Sequence, residues 1–390
     1  MKKCGSRGTA RHSVIAPVRS TGPLAFIALI VALLAGFRPA IAQNSSASLA
    51  FRLTPVARGF TDPVGIASTP AEPSKLFVVE REGFVKVIED GKLAKRALLD
   101  IEEILSPREN AALSSIAFPN DYSTNKTLYV SYTDKQGDTI IGRFPTKSSE
   151  TANEDALMVV LKIVQPAPHT HRSSITFGED KDLYITLGDA GRASGISSLA
   201  QNPRSLFGKV LRINLSDPSR YTIPSDNPFT KRSDAAPEVW AIGFQQPRNI
   251  SFDPLTKRLL LIDSGREVRE VDLVERGRNY GWNALEGAQC ASAKCDTSAY
   301  VAPIFTYKAS PQSAAIGGFV YHGSKHPSLK GVYLFADSAT KALSALTHSG
   351  AEWKKLQIAT TTSPVVAIGP GGDGEIYVAT ADGTVSTVIQ

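Results

Sequence analysis

From Leu49 onward, apolar and polar positions alternate in short bursts and never settle into the 3.6-residue rhythm of a long helix. LAFRLTPVARGF, residues 49–60, reads as one strand and a turn. A unit then recurs. A short apolar strand is followed by a turn rich in Pro, Asp, Gly or Lys, then by a Leu-Tyr-Val-like strand, and often by one more strand. The copies are VGIASTPAEPSKLFVVE, LSSIAFPNDYSTNKTLYVSY, SSITFGEDKDLYITLGD, RNISFDPLTKRLLLIDS, GGFVYHGSKHPSLKGVYLFAD and VVAIGPGGDGEIYVATADG. Their central positions are Phe77, Tyr129, Tyr184, Leu260, Tyr333 and Tyr377, separated by between 44 residues (Tyr333 to Tyr377) and 76 residues (Tyr184 to Leu260). Six copies of a several-stranded unit at about blade spacing predict an all-β chain folded as a six-bladed β-propeller, one domain from residue 49 to residue 390. The rival is a pair of β-sandwiches whose Leu-Tyr-Val strands resemble one another by coincidence, and it must then account for six copies.

Unequal spacing puts long loops on some blades. Arg192–Val239 and Asn279–Ala315, rich in Ser, Pro, Asp, Asn and Gly, read as functional or capping loops. The strand near Phe51–Val56 is placed to pair with Val385–Ile389, which would close the ring and remove its open edges. The strongest helical candidate is LSPRENAALSS, residues 105–115, a turn or two within a loop.

Charge changes the picture at the N-terminus. Residues 1–22 carry Lys2, Lys3, Arg7, Arg11 and Arg19 without an acid, an apolar run follows from Pro23 to Phe37, and Ala40-Ile41-Ala42 is a small-x-small cleavage site. This predicts a secretory signal peptide over residues 1–42 and a periplasmic or secreted protein; a membrane anchor is the alternative, for which the apolar run is short. Those 42 residues hold six of the 43 basic residues and none of the 37 acidic ones, so the mature chain carries 37 of each. The basic excess belongs to the leader, and no nucleic-acid footprint is left. Cleavage also removes Cys4. Cys290 and Cys295 remain, in EGAQCASAKCD, and in an exported chain they read as a local disulfide that shapes a surface loop, with free thiols as the alternative.

The motifs resemble those of the soluble quinoprotein sugar dehydrogenases of the glucose/sorbosone dehydrogenase type, including their Hedgehog-interacting-protein-like branch. The matching segments run through nearly the whole mature chain: VVEREGFVKVIEDG, FGEDKDLYITLGDAGR, SLFGKVLRINL, YTIPSDNPF, PEVWAIGFQQPRNISFDP, GRNYGWNALEG, GGFVYHGS, LKGVYLFAD and GDGEIYVATADG. The resemblance implies a six-bladed propeller, pyrroloquinoline quinone (PQQ) as cofactor, calcium holding that cofactor, and oxidation of aldoses. In that chemistry a histidine takes the sugar hydroxyl proton, an aspartate orients the histidine, and the cofactor carboxylates call for Arg and Lys.

Carried over residue by residue, the aspartate of the family's Gly-Asp-x-Gly loop is Asp189, which also reads as a turn-forming Asp capping loop amides. The family histidine falls on Thr170, with His169 and His171 on either side; His171 is the first choice for the base, and a solvated loop histidine is the alternative. An arginine expected just before the strand is Ser174. The segment whose Arg-Asn pair contacts the cofactor reads Gly243-Phe244-Gln245-Gln246-Pro247, so Gln245 and Gln246 stand there as neutral amides. The cofactor lysine falls near Ala339, two residues from Lys341. The arginines before the last copy fall in Thr361-Thr362-Ser363-Pro364, and the glutamine-glycine segment before the second copy reads Glu109-Asn110-Ala111-Ala112. Arg172, Arg192, Arg248 and Arg266 lie beside motif positions; Arg192 and Arg248 are the candidates to contact the cofactor in compensation. Of the family's acidic calcium pair only Glu270 matches, next to Arg269.

The resemblance leads to the expectation of a quinoprotein-type oxidoreductase acting on an aldose or related sugar. The alternative is a propeller that has kept the fold and lost the cofactor, binding a glycan, a small ligand or a protein through its loop face. A calcium-dependent lactonase rests on fold analogy alone. The chain has no Gly-x-Ser-x-Gly elbow, phosphate-cradling Gly loop, His-Glu-x-x-His or Cys-pair metal spacing.

Overall fold

The computed structural model describes residues 51–107, 112–146, 151–166, 173–190, 199–217, 220–292, 295–310, 313–350 and 352–390. The expected leader, His169, His171, Arg172, Arg192 and Glu109–Ala111 lie outside these residues. Six antiparallel sheets form the blades of a propeller. Blade 1 consists of Pro63–Ala67, Lys75–Glu80 and Phe84–Glu89, finished by the short strands Lys92–Leu93 and Leu99–Asp100. Blade 2 is Leu113–Ala117, Thr127–Thr133, Thr139–Pro145 and Met158–Ile163; blade 3 is Ile175–Phe177, Leu183–Leu187, Lys209–Ile213 and Val239–Ile242. Blade 4 is Pro247–Phe252, Leu259–Ser264, Val268–Val274 and Phe305–Lys308; blade 5 is Ala315–Tyr321, Val332–Asp337, Ala342–Ser349 and Glu352–Thr360. Blade 6 takes Val365–Pro370, Ile376–Thr380 and Thr384–Ile389 from the C-terminal end and its outer strand, Arg52–Arg58, from the other. The ring therefore closes as the sequence predicts, with Arg52 opposite Ile389 and Arg58 opposite Thr384.

The Leu-Tyr-Val signal has a physical origin. Each second strand lies between two neighbouring blades and is buried on both faces, so it reads as an apolar run rather than an alternation; LYITL, residues 183–187, is buried at every position. The apolar core is divided accordingly into clusters between adjacent blades. Phe77, Val85 and Leu99 of blade 1 pack on Leu113, Leu128 and Phe144 of blade 2, and Leu334 and Leu343 of blade 5 pack on Val365 and Val378 of blade 6. Blades 6 and 1 meet through Ala379, Val385, Leu76 and Val78.

Polar struts stitch the innermost strands together. Ile175 N donates to Ser115 Oγ at 3.2 Å, Asn249 N to Ser174 Oγ at 2.8 Å, and Gly317 N to Asn249 Oδ1 at 3.2 Å, linking blades 2 to 5 in turn. The far rim is tied by Asn120 to Gly178 O at 3.0 Å and by His322 to Asp253 at 2.7 Å. The internal repeat survives in detail at two turns. A Cβ on Gly178 would lie 2.3 Å from Asp180 Oδ1, and one on Gly371 would lie 2.4 Å from Asp373 Oδ1, so each Asp folds over its glycine and would have to move to admit a side chain there.

Two expectations are corrected. Leu113–Ser115 of the helical candidate are strand, because they pair with Thr127–Thr133. The segments expected as long loops each contribute a strand: Lys209–Ile213 is the third strand of blade 3 and Phe305–Lys308 the outer strand of blade 4. Cys290 and Cys295 form the expected disulfide, with a Cα–Cα distance of 5.7 Å. No helix among the described residues is long and apolar enough to cross a membrane.

Candidate functional site

The inner strands all begin at one mouth of the ring, here the upper mouth. The residues just past each second strand reach the same level: Arg81, Asp134, Gly188, Gly265, Ser338 and Ala381. Below it a central channel of about 900 Å³ is lined by every blade, through residues such as Ser115, Thr176, Ser251, Gly317 and Gly369.

Asp189 is a junction in the upper loops. Its backbone N–H donates to Gln245 O at 2.7 Å, its Oδ1 accepts from Leu199 N at 2.7 Å and its Oδ2 accepts from Trp282 Nε1 at 2.7 Å. It thus ties blade 3 to the entry of blade 4 and to the loop after that blade's third strand. These are the loop-capping contacts that the sequence offers as one of its two roles. Lys209 holds the same loop from beneath. It is fully buried and donates to Leu199 O, Ala200 O and Phe207 O at 3.0, 2.8 and 2.7 Å. Burial pushes its ammonium down to about 7 against the opposing pull of the Asp189 charge.

Gln245 and Gln246 are fixed through their backbones. Their N–H groups donate to Asp263 Oδ2 and Oδ1 at 2.7 and 2.6 Å. Burial raises the Asp263 carboxyl to about 6, although these two amides and Arg248 work the other way. The turn needs Gly243 at φ +91°, where a Cβ would sit 2.3 Å from Asn279 Oδ1. The Gln246 side chain accepts from Arg248 Nη2 at 3.3 Å. Gln245 Oε1 is buried and has no hydrogen-bond partner among the described residues.

A cavity of about 420 Å³ opens at the upper mouth between blades 4, 5, 6 and 1. Arg248, Arg81, Asp62 and Ser338 supply its polar wall, and Pro63, Val64, Ile316, Val365 and Val366 its apolar wall. Arg81 reaches Asp62 through Nε and, at 3.2 Å, through Nη2, while its Nη1 is buried with no partner among the described residues. Arg269 stands behind Arg248. Its two Nη groups donate to Gly265 O and, at 2.9 Å, to Ser313 O. Burial, then the charges of Arg269 and Arg81, hold the Arg248 guanidinium below its usual value.

The remaining candidates lie elsewhere. Glu270 Oε1 accepts from Gly287 N at 2.6 Å and so secures a loop. Burial, then the charge of Asp263, raises its carboxyl to about 8. Strand register puts Asp263 opposite Glu270 and Leu261 opposite Asp272, so all three acids share one face of blade 4. Asp272 is buried, and neither of its oxygens has a partner among the described residues. The described residues contain no group of three or more His, Cys, Asp or Glu arranged to hold a metal. Calcium takes about six to eight oxygens, and the donors described around Glu270 do not fit it. Lys341 lies on an exposed turn and donates to Thr362 O at 3.1 Å. The exposed Arg266 lies 5.4 Å over the Trp282 ring. Ser174, in the place of an expected arginine, is the strut to Asn249 N.

Two cations of the mouth are not found by sequence reasoning. Arg81 sits within VVEREGF and Arg269 beside Glu270, where nothing in the local pattern marks them. The available signal is position. Arg81 and Ser338 are both the first residue after a second strand, and both line the cavity.

The fold and this mouth together define a class: a closed six-bladed propeller with a cation-walled cavity above its axial channel. The family model for glucose/sorbosone dehydrogenase matches residues 60–388, and the chain belongs to that family. It is 26% identical over 357 residues to an uncharacterized protein of Synechocystis sp., covering 84% of each chain. It is 26% identical over 316 residues to the Hedgehog-interacting protein of Homo sapiens, covering 74% of this chain and 42% of that one. The solved structure of the soluble aldose sugar dehydrogenase of Escherichia coli in the apo-form matches at a TM-score of 0.70 with 20% identity, over 87% of this chain and 98% of the other. The PQQ-bound form of the aldose sugar dehydrogenase from Streptomyces coelicolor matches at 0.68 with 21% identity, over 87% and 97%. At these identities the structural likeness carries the fold.

Proposed function

We propose that the protein is a quinoprotein-type oxidoreductase that oxidises an aldose or related sugar with PQQ seated at the upper mouth. The observation that carries this reading is the cavity in which Arg81 and Arg248 face an apolar wall above the channel. An aromatic polycarboxylate suits such a wall, because guanidinium N–H groups donate to carboxylate and the apolar side takes the ring faces, with the Nε–Nη2 edge of Arg81 already held by Asp62. When bound, the cofactor supplies a two-electron acceptor. The chain's own part is to orient and to move a proton. His171 takes the proton of the sugar hydroxyl, and Asp189, on its fixed loop, steadies that histidine and stabilises its charged form. Val64, Ile316, Val365 and Val366 would give the bound cofactor a dry, apolar side. The leader sends the protein to the periplasm or outside the cell.

The second reading, a propeller that binds a glycan, small ligand or protein without the cofactor, is favoured by Gln245 and Gln246, which bring no charge to the segment they occupy, and by the similarity to Hedgehog-interacting protein. One experiment separates the two. PQQ, with and without calcium, is titrated into purified protein by fluorescence, and dye reduction is followed over a sugar panel. Binding with turnover, abolished by His171→Ala while binding persists, supports the oxidoreductase. No binding at high micromolar cofactor overturns it. Mass spectrometry of the exported protein checks cleavage after Ala42.

A further inference from the structure

We infer that Arg81 and Arg248 form a two-armed carboxylate clamp across the upper mouth, standing in for the cationic positions that Gln245, Gln246 and Thr361–Pro364 do not supply. The clamp rests on the proposed function only for the identity of its natural ligand. Its geometry is independent of that reading.

The two arginines come from blades 1 and 4, which stand opposite each other in a ring of six, and both line the same cavity of about 420 Å³. Each is aimed by a neighbour. Asp62 engages Nε and Nη2 of Arg81 and offsets part of its charge, which leaves Nη1, buried and unpartnered among the described residues, as its remaining donor. Gln246 accepts from Arg248 Nη2 at 3.3 Å. The neutral amide that counts against cofactor binding in the sequence thus orients the arginine two residues on. Arg269 is fixed by the carbonyls of Gly265 and Ser313 and adds a third positive charge behind Arg248. Desolvation, then the charges of Arg269 and Arg81, press on Arg248, opposed in part by the charge of Asp263. A bound anion relieves that pressure, whereas a neutral polyol, whose hydroxyls can accept from the guanidinium groups, leaves their charge uncompensated. The apolar wall of Pro63, Val64, Ile316, Val365 and Val366 lowers the local dielectric and strengthens the field at the cavity. The ligand class is therefore a compact, flat apolar body bearing at least two carboxylates. PQQ is one member, and pyridine-2,6-dicarboxylate is a small probe of the same chemistry.

The test is calorimetric and fluorescence titration of the full mature chain with each of these two compounds. Arg81→Gln and Arg248→Gln are each expected to weaken both ligands by at least tenfold. Arg248→Lys, which keeps the charge and loses the fork, should lie between. Lys354→Gln, on the exposed outer strand of blade 5, should bind like the wild type. Thermal melts report whether each variant folds; if Arg248→Gln does not, Arg81→Gln and Arg248→Lys carry the comparison. Wild-type binding of the dicarboxylate without PQQ upholds the clamp and removes the quinoprotein reading. PQQ binding that is unchanged in Arg81→Gln and in whichever Arg248 variant folds overturns the clamp and leaves that reading standing. Failure of both compounds to bind at millimolar concentration overturns the clamp.

Discussion

Leu199 N–H and Trp282 Nε1–H both end on the carboxylate of Asp189, at 2.7 Å each. Removing that carboxylate leaves two donors unmade, so Asp189→Ala is expected to lower unfolding free energy by about 1–3 kcal/mol, read by urea denaturation. A loss near zero would mean that water replaces both bonds. Asp272 permits a prediction on pH. Burial, then the charges of Glu270 and Asp263, raise its folded-state pKa well above the ordinary value. The folded protein keeps a proton that the unfolded chain releases above about pH 4, so stability falls as pH rises through this window. Glu270, raised to about 8, extends the decline in the same direction. Asp272→Asn removes one share of it: the variant should gain stability over wild type at pH 8 and match it near pH 4, measured by denaturation midpoints. Asp189 is legible from its loop motif. Asp272 is not, since an acid in a strand shows no partner or burial until the neighbouring blade covers it.

At the scale of elements, closure of the ring depends on a strand remote in sequence from the blade it completes. Phe51, just before it, is buried in the cluster between blades 5 and 6, and its N–H donates to Ile358 O at 2.9 Å. Phe51→Ala is expected to cost about 3–5 kcal/mol by chemical denaturation. Deleting residues 49–58 should expose the edge of Thr384–Ile389 and cause aggregation, seen by light scattering. The alternation around Phe51–Val56 makes this strand readable. The stretch at residues 105–115 misleads because its apolar and small residues suit a short helix, while pairing with Thr127–Thr133 makes Leu113–Ser115 strand. Lys209–Ile213 is hidden for a related reason: its copy has a long segment before the third strand, so spacing alone suggests a loop.

For the whole molecule, the interblade clusters mean that each blade is half of two cores. Leu211→Ala in blade 3 and Leu334→Ala in blade 5 remove fully buried side chains from different interfaces. Each is expected to cost about 2–5 kcal/mol. Both should unfold in one transition, with circular dichroism and tryptophan fluorescence coincident; separate transitions would show that blades melt independently. The sequence by itself determined the number of blades, the closure of the ring, the disulfide and the loop that holds Asp189. Those features are written in local patterns and in a repeat, which survive without knowledge of contacts. Only the tertiary structure decided the chemistry of the mouth. Arg81 and Arg248 belong to opposite blades, and no periodicity links them. They share a cavity because a closed ring brings the starts of its inner strands together, and the same closure sets Arg269 behind them and buries Asp272 without a partner among the described residues.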